Sequence, residues 1–273
     1  IYMSEKQNRA HEKREPVDPL CFAFKSYLFV GWFKSDSSIE NLKKAGIKFF
    51  IATGRSFLAM KRFYDYLELD TEIINYNGAV IHNSNGRKIF ELTLDDSIAR
   101  ELIDYGRKNN LYYHGFSNEK WYLEDYNDTA RAYGAKSQLQ ENIVNFDNME
   151  KLDFNKMMFI NDAETTKTVN SYVVEKYKNK IYKGFSSPTF LEIMNPDVSK
   201  GNGVRFLLKK YGFQPDEVMA FGDAENDLEM LFSVKYGIAM ENANDDVKSK
   251  ADYIAKKNSE NGVALFLEDF LKL

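Results

Sequence analysis

Two aspartates four residues apart, Asp223 and Asp227, stand in the stretch Val218-Met-Ala-Phe-Gly-Asp-Ala-Glu-Asn-Asp227. The apolar run Val218–Phe221 reads as a short buried strand that breaks at Gly222. Leu228, Met230 and Leu231 give the apolar face of a following helix. A strand end that meets a helix start is where open α/β sheets build ligand sites. Two carboxylates crowded there repel each other, which suits a hard cation such as Mg²⁺ with its preference for oxygen ligands. The same residues also fit a plainer arrangement, in which Asp223 caps the helix and Asp227 is a first-turn acid favoured by the helix dipole.

A second junction of this kind follows Ile47-Lys-Phe-Phe-Ile-Ala52, a nearly continuous apolar run typical of a strand buried on both faces. It ends in Thr53-Gly54-Arg55-Ser56, where a hydroxyl, a flexible glycine and a guanidinium precede a helix reaching about Leu67. Those are the parts of an oxyanion or phosphate site, and equally of a turn with a surface arginine. Lys200 opens another helix, where a cation opposes the N-terminal dipole. It is either aimed at an anion or simply solvated. His82 and His114 read as hairpin-surface or satisfied polar residues. Gly201-Asn-Gly203 lacks the third glycine and the preceding strand of a dinucleotide loop.

Composition excludes several classes. Apolar residues make up 44% and charged residues 29% of the 273, the balance of a soluble globular protein. A net charge of -4 argues against a general nucleic-acid binder. A single cysteine, Cys21, allows no internal disulfide and fits a reducing, cytoplasmic compartment. With only three histidines, a histidine-rich metal centre is not expected. The longest apolar run, Leu20–Phe33, is too short to span a bilayer and is interrupted by Lys25 and Ser26. Residues 1–16 are strongly charged and read as a disordered tail, not a secretory signal.

The pattern of elements predicts an α/β fold: a doubly wound, Rossmann-like parallel sheet core interrupted by an inserted α+β cap. The core takes residues 17–82 and 190–273, the cap residues 83–189. Its first strand is placed at Leu20–Phe24, a further apolar piece at Leu28–Phe33, and a short helix through Ile39, Leu42 and Ala45 stops at Gly46. Glu72–Tyr76 is the next strand, Asn77-Gly78 a turn, and Ala79–His82 with Lys88–Leu92 a hairpin. The insert carries helices over 95–109 and Thr165–Tyr177, a weaker one at Thr129–Lys136, and strands at Leu111–Phe116, Lys120–Glu124, Phe154–Ile160, Lys180–Phe185 and Thr189–Met194. Its Tyr112, Tyr113, Phe116, Trp121 and Tyr122 read as exposed aromatics on paired strands, of a kind that serves sheet packing more often than ligand binding. Ser199 caps a helix from Lys200 to about Tyr211, with Gly212 as its stop.

The ordered set Ala52-Thr-Gly-Arg55, Tyr76-Asn-Gly-Ala79, Ser199-Lys-Gly201 and Phe221-Gly-Asp-Ala-Glu-Asn-Asp227 resembles the haloacid dehalogenase-like superfamily, and within it the Cof-type sugar-phosphate phosphatases. The resemblance runs over about residues 36–273, and its last motif is the most specific. It implies that Thr53 hydrogen-bonds the transferring phosphoryl group and that Lys200 holds the phosphate. It further implies that Asp223 ligates Mg²⁺ with Asp227 in support, that Asn226 touches phosphate or water, and that Asn77 lies near the substrate at the core–cap hinge. Gly54 and Arg55 follow the family pattern in the substrate loop. A small phosphorylated metabolite is the implied partner, hydrolysed through an aspartyl-phosphate intermediate. The family's first strand ends in Asp-x-Asp, yet no Asp-x-Asp occurs between residues 1 and 60, and Lys25-Ser26-Tyr27 follows the expected first strand. A protein that binds phosphorylated metabolites without turnover is therefore the alternative.

Overall fold

The computed structural model describes residues 21–24, 46–137 and 140–271. The expected tail 1–16, the apolar piece Leu28–Phe33 and the helix around Ile39, Leu42 and Ala45 lie outside these residues.

Apolar runs become the strands and amphipathic runs the helices. The chain begins with β1 (Cys21–Phe24), β2 (Phe49–Ala52), α1 (Phe57–Tyr66), β3 (Ile73–Asn75), β4 (Val80–His82) and β5 (Lys88–Glu91). The next elements are α2 (Asp96–Lys108), β6 (Tyr113–Ser117), β7 (Lys120–Leu123), α3 (Asp128–Ser137), β8 (Glu141–Ile143) and β9 (Lys156–Ile160). After them come α4 (Ala163–Tyr177), β10 (Tyr182–Ser187), β11 (Phe190–Met194) and α5 (Lys200–Tyr211). The chain closes with β12 (Val218–Gly222), α6 (Leu228–Phe232), β13 (Tyr236–Met240), α7 (Asp245–Lys250), β14 (Tyr253–Ala255) and α8 (Gly262–Leu271). The short strand β8 has no apolar run to announce it. Among the described residues no helix is long and apolar enough to cross a membrane.

The larger sheet has the order β14-β13-β12-β1-β2-β3-β4-β5. Strands β12, β13 and β14 are mutually parallel, as are β2 and β3. Because β1 is antiparallel to both β12 and β2, those two groups share one direction, which β1 opposes between them and β4 opposes beyond β3. Helices pack on this sheet through Phe57, Met60 and Tyr64 of α1, Val204 and Leu207 of α5, and Met230 and Leu231 of α6, all within one apolar cluster.

The reversal of β1 corrects an expectation. Cys21 pairs with Phe221 and Phe24 with Val218. The strand therefore starts at the Asp223 end of β12 and finishes at the opposite end. Lys25-Ser26-Tyr27, expected to stand at the nucleophile position, lies outside the described residues. Four apolar residues carry no signal of strand direction, so only pairing with β2 and β12 reveals it.

The smaller sheet, order β10-β11-β9-β6-β7-β8, is antiparallel except for β7 and β8. Sheet membership moves both crossovers from the expected residues 82 and 190. Hairpin β4–β5 extends the larger sheet and β11 belongs to the smaller one, so the chain crosses at 92–95 and 195–199. One face of the smaller sheet is covered by α2 and α4 through Ile98, Leu102, Val169 and Val173. Its other face meets Tyr76, Ala79 and Val80 of the larger domain and Ala130 of α3 in a further apolar cluster. This second cover is why Tyr112, Phe116 and Trp121 are not exposed, whereas Tyr113 and the half-buried Tyr122 pack on the face beneath α2 and α4.

Where the two crossovers meet, Gly78 has φ +104°, and a Cβ there would lie 2.1 Å from the Ser199 carbonyl oxygen. Replacing it adds both backbone strain and a clash with backbone that cannot swing away. Gly78→Ala is expected to lower the unfolding free energy by about 2 kcal/mol or more, read as a lower midpoint in urea.

Candidate active site

Lys200 is the first residue of α5, and Ser199 caps that helix by accepting the Asn202 N–H at 2.9 Å. A lysine at this position opposes the dipole, and the structure shows what offsets it. Its Nζ donates to Asp227 Oδ1 at 2.7 Å, with the two side chains 1% and 0% exposed. The solvated reading of Lys200 is thereby excluded. Asp227 Oδ2 accepts the backbone N–H groups of Asp223 and Ala224 at 3.0 and 3.1 Å. Asp227 can come this close because residue 222 is glycine: a Cβ there would sit 2.4 Å from the Asp227 Cβ.

The two acids thus have different surroundings. Asp227 accepts from protein donors at both oxygens, which fixes it behind the cleft. Asp223 lines the cleft, its Oδ2 accepting from Asn242 Nδ2 at 2.7 Å. Among the described residues no group of three or more His, Cys, Asp or Glu is placed to hold a metal. Mg²⁺ commonly uses one or two carboxylates and takes its other oxygens from phosphate and water. Asp223 fits that mode as the protein carboxylate, with Asp227 supporting it through the backbone.

The second loop leaves β2 at Thr53, which is fully buried. Thr53 N–H donates to Ile74 O, and Thr53 O accepts the Asn77 N–H at 2.9 Å. Thr53 Oγ1 accepts the Arg55 N–H at 3.1 Å, which leaves the hydroxyl proton to be donated. Arg55 O accepts from Tyr76 N–H and Asn75 Nδ2. Asn75 Oδ1 in turn contacts His82 Nδ1 at 2.9 Å, so the neutral ring carries its proton on Nδ1. Ser56 caps α1 by accepting the Ala59 N–H. The loop is therefore pinned at nearly every peptide.

Asn77 links the loops. Its φ is +56°, next to Tyr76 at +48°, and its Oδ1 accepts from Asn226 Nδ2 at 3.0 Å. Its Nδ2 donates to Glu192 Oε2 at 3.2 Å. Glu192 Oε1 accepts from Lys156 Nζ at 3.0 Å. A cleft of about 1440 Å³ runs between the domains, lined on one side by Gly54, Arg55, Asn77, Lys200, Asp223 and Asn226. On its other side stand the cap's Phe116, Tyr133, Phe185, Lys156 and Glu192. Every residue expected at the site is thus at the cleft wall or, for Thr53 and Asp227, bonded directly behind it.

Sequence reasoning missed Lys156 and Glu192. The signal was a charged residue at the head of Lys156-Met-Met-Phe-Ile160 and another in the middle of Phe190-Leu-Glu-Ile-Met194. Of the two readings offered for His82 and His114, hairpin surface or satisfied polar residue, the structure excludes the first for both and meets the second for His82. His82 is buried with a partner, and His114 is fully enclosed with no hydrogen-bond partner for Nε2.

The family model of haloacid dehalogenase-like hydrolases matches residues 34–267. A Haemophilus influenzae protein provisionally named a phosphatase is 30% identical over 243 residues, covering 85% of this chain and 88% of that protein. The 5-amino-6-(5-phospho-D-ribitylamino)uracil phosphatase YitU of Bacillus subtilis is 29% identical, covering 86% and 89%. A crystal structure of a haloacid dehalogenase-like hydrolase from Bacteroides thetaiotaomicron superposes with a TM-score of 0.77 at 27% identity, over 86% of this chain and 91% of that one.

Removing one partner of a buried ion pair leaves an uncompensated charge. Lys200→Met or Asp227→Leu alone is expected to cost about 3–5 kcal/mol, and the double replacement clearly less than their sum, by urea denaturation. Burial, reinforced by Lys88, lowers the His82 pKa from 6.5 to about 4, with Glu91 acting in the opposite direction. As pH falls below 6.5 the unfolded chain takes up a proton that the folded one refuses until about 4. Stability should drop across that window, and His82→Gln should flatten the drop in pH-dependent melts.

Proposed function

Because the chain belongs to the haloacid dehalogenase-like hydrolases, we propose that it is a Mg²⁺-dependent phosphatase of small phosphate monoesters, sugar phosphates foremost. The observation that carries this reading is the convergence of the Thr53 loop, Asn77, Lys200 and Asp223 on one cleft. Donors gather there around a space open to a phosphoryl group. The cap supplies an aromatic and charged roof for the leaving group. The relative named for 5-amino-6-(5-phospho-D-ribitylamino)uracil acts on a phosphate on a polyhydroxylated chain, which favours a substrate of that kind.

In this reading the Thr53 hydroxyl donates to a phosphoryl oxygen and Lys200 neutralises charge beside it. Arg55 and the Asn226 carboxamide complete the recognition of the anion. Asp223 would hold Mg²⁺, which supplies Lewis-acid stabilisation of the phosphoryl oxygens. The apolar roof formed by Phe116 and Tyr133 keeps bulk water from the reacting group. In the family-type reaction an aspartate carboxylate attacks phosphorus, forming an aspartyl phosphate and expelling the alcohol, and water then releases phosphate.

One observation favours a second reading, binding without turnover. None of the described residues 21–24 is acidic, and β1 runs against its neighbours, so this strand carries no carboxylate to the phosphoryl group. The deciding measurement is phosphate release from 4-nitrophenyl phosphate with and without Mg²⁺, on protein of verified mass. Metal-dependent release that falls at least about 100-fold in Asp223→Asn supports the phosphatase. Phosphate binding with no release supports the second reading. The absence of both refutes a phosphate site.

A further inference from the structure

Two charged side chains of the cap sheet face the cleft without belonging to the phosphate loops. Lys156 opens β9 and Glu192 lies mid-way along β11. Glu192 stands opposite Met158, so Lys156, two residues before it, is its diagonal neighbour on the same face. Their side chains are 6% and 9% exposed. The Lys156 ammonium also reaches the Gly54 carbonyl oxygen at 3.4 Å and lies 5.2 Å from the Phe116 ring centre. Such a pair is costly to bury, and a sheet needing only packing at these positions would carry apolar residues.

What the pair reaches makes sense of it. An ammonium can only donate, so Glu192 Oε1 must accept. The ionised carboxylate accepts at Oε2 as well, so the Asn77 carboxamide must turn its NH₂ toward the cap. Its oxygen is then directed to the Asn226 NH₂. The chain Lys156–Glu192–Asn77–Asn226 thus has a single hydrogen-bonding sense, set at its cap end. It ties together the loops at 53–55, 76–78 and 223–227.

We propose that Lys156 and Glu192 are positioning residues, which act from the cap to hold the Asn77 carboxamide and the Gly54 peptide in the orientation that receives the phosphoryl group. This rests on the reading of the cleft as a phosphate site. Glu192 orients Asn77 directly, and Lys156 acts through Glu192 and by its own contact with Gly54. Glu192→Gln tests the idea sharply. With Lys156 still donating to its oxygen, the glutamine presents NH₂ to the Asn77 NH₂, and Asn77 must invert.

The experiment is a cycle of inorganic phosphate affinities by titration calorimetry. Glu192→Gln and Lys156→Met should each weaken phosphate about tenfold in the otherwise intact protein. In an Asn77→Ala background Glu192→Gln should change affinity less than about twofold, since nothing remains to orient. Lys156→Arg should restore most of the binding. Equal losses by Glu192→Gln in both backgrounds, or no loss in either, would overturn the proposal. The Asn77 side-chain amide resonance in ¹⁵N spectra provides a ligand-free arm. It should be shifted and slow to exchange in the intact protein and in Lys156→Arg, and altered in Glu192→Gln and Lys156→Met. If the intact protein neither binds nor releases phosphate, the phosphatase reading fails. The resonance then decides the pair alone, and an Asn77 signal indifferent to both replacements would overturn it.

Discussion

The architecture of the cleft depends on one buried ion pair. Lys200 and Asp227 are both removed from water, and each would be prohibitive alone. What makes the pair tolerable is that the second Asp227 oxygen is also satisfied, by two backbone N–H groups of its own turn. The carboxylate therefore does two things at once. It neutralises a lysine held against the helix dipole, and it folds residues 223–227 into the turn that sets Asp223 at the cleft. Helix α5 and the turn after β12 are thereby one unit, and neither charge can be lost without stranding the other.

Around that unit the structure is a problem of close approach between two domains. The crossovers at 92–95 and 195–199 carry the chain out of the larger sheet and back to it beside the 76–78 turn, with no room for a side chain at Gly78. Tyr76 and Asn77 both take left-handed backbone conformations there, which surrounding contacts must hold. Tyr76 packs into the apolar cluster beneath the cap while Asn77 bridges Asn226 and Glu192. The hinge is thus fixed by apolar burial on one side and a directed polar chain on the other. Strain, hydrogen bonds and cap position are coupled at a single dipeptide.

Much of this was legible in the residues. Strand β2, the Ser56 and Ser199 caps, the Gly212 stop and strand β12 follow from apolar runs and capping chemistry, which are local in sequence. The four motifs also identified the loops that converge at the cleft, because each is short and keeps its chemistry within a few residues. The burial of Lys200 was not legible. A lysine's surroundings depend on a residue 27 positions away, and nothing local distinguishes a paired lysine from a solvated one. The cap aromatics misled for the same reason: α3 and the 76–80 segment cover a face that the strand pattern alone would leave open.

The sequence by itself determined the alternation of strands and helices, the presence of an insert and the residue types at the loops, since propensity, periodicity and capping act over a few bonds. Tertiary structure alone decided which sheet each strand joins, the reversed direction of Cys21–Phe24, and the joining of Lys156 to Glu192 and of Glu192 to Asn77 across 36 and 115 residues. Those outcomes are set by pairing and burial between segments far apart in the chain. Such contacts carry no local signature, because hydrogen-bond partners and excluded water exist only once the domains have closed on each other.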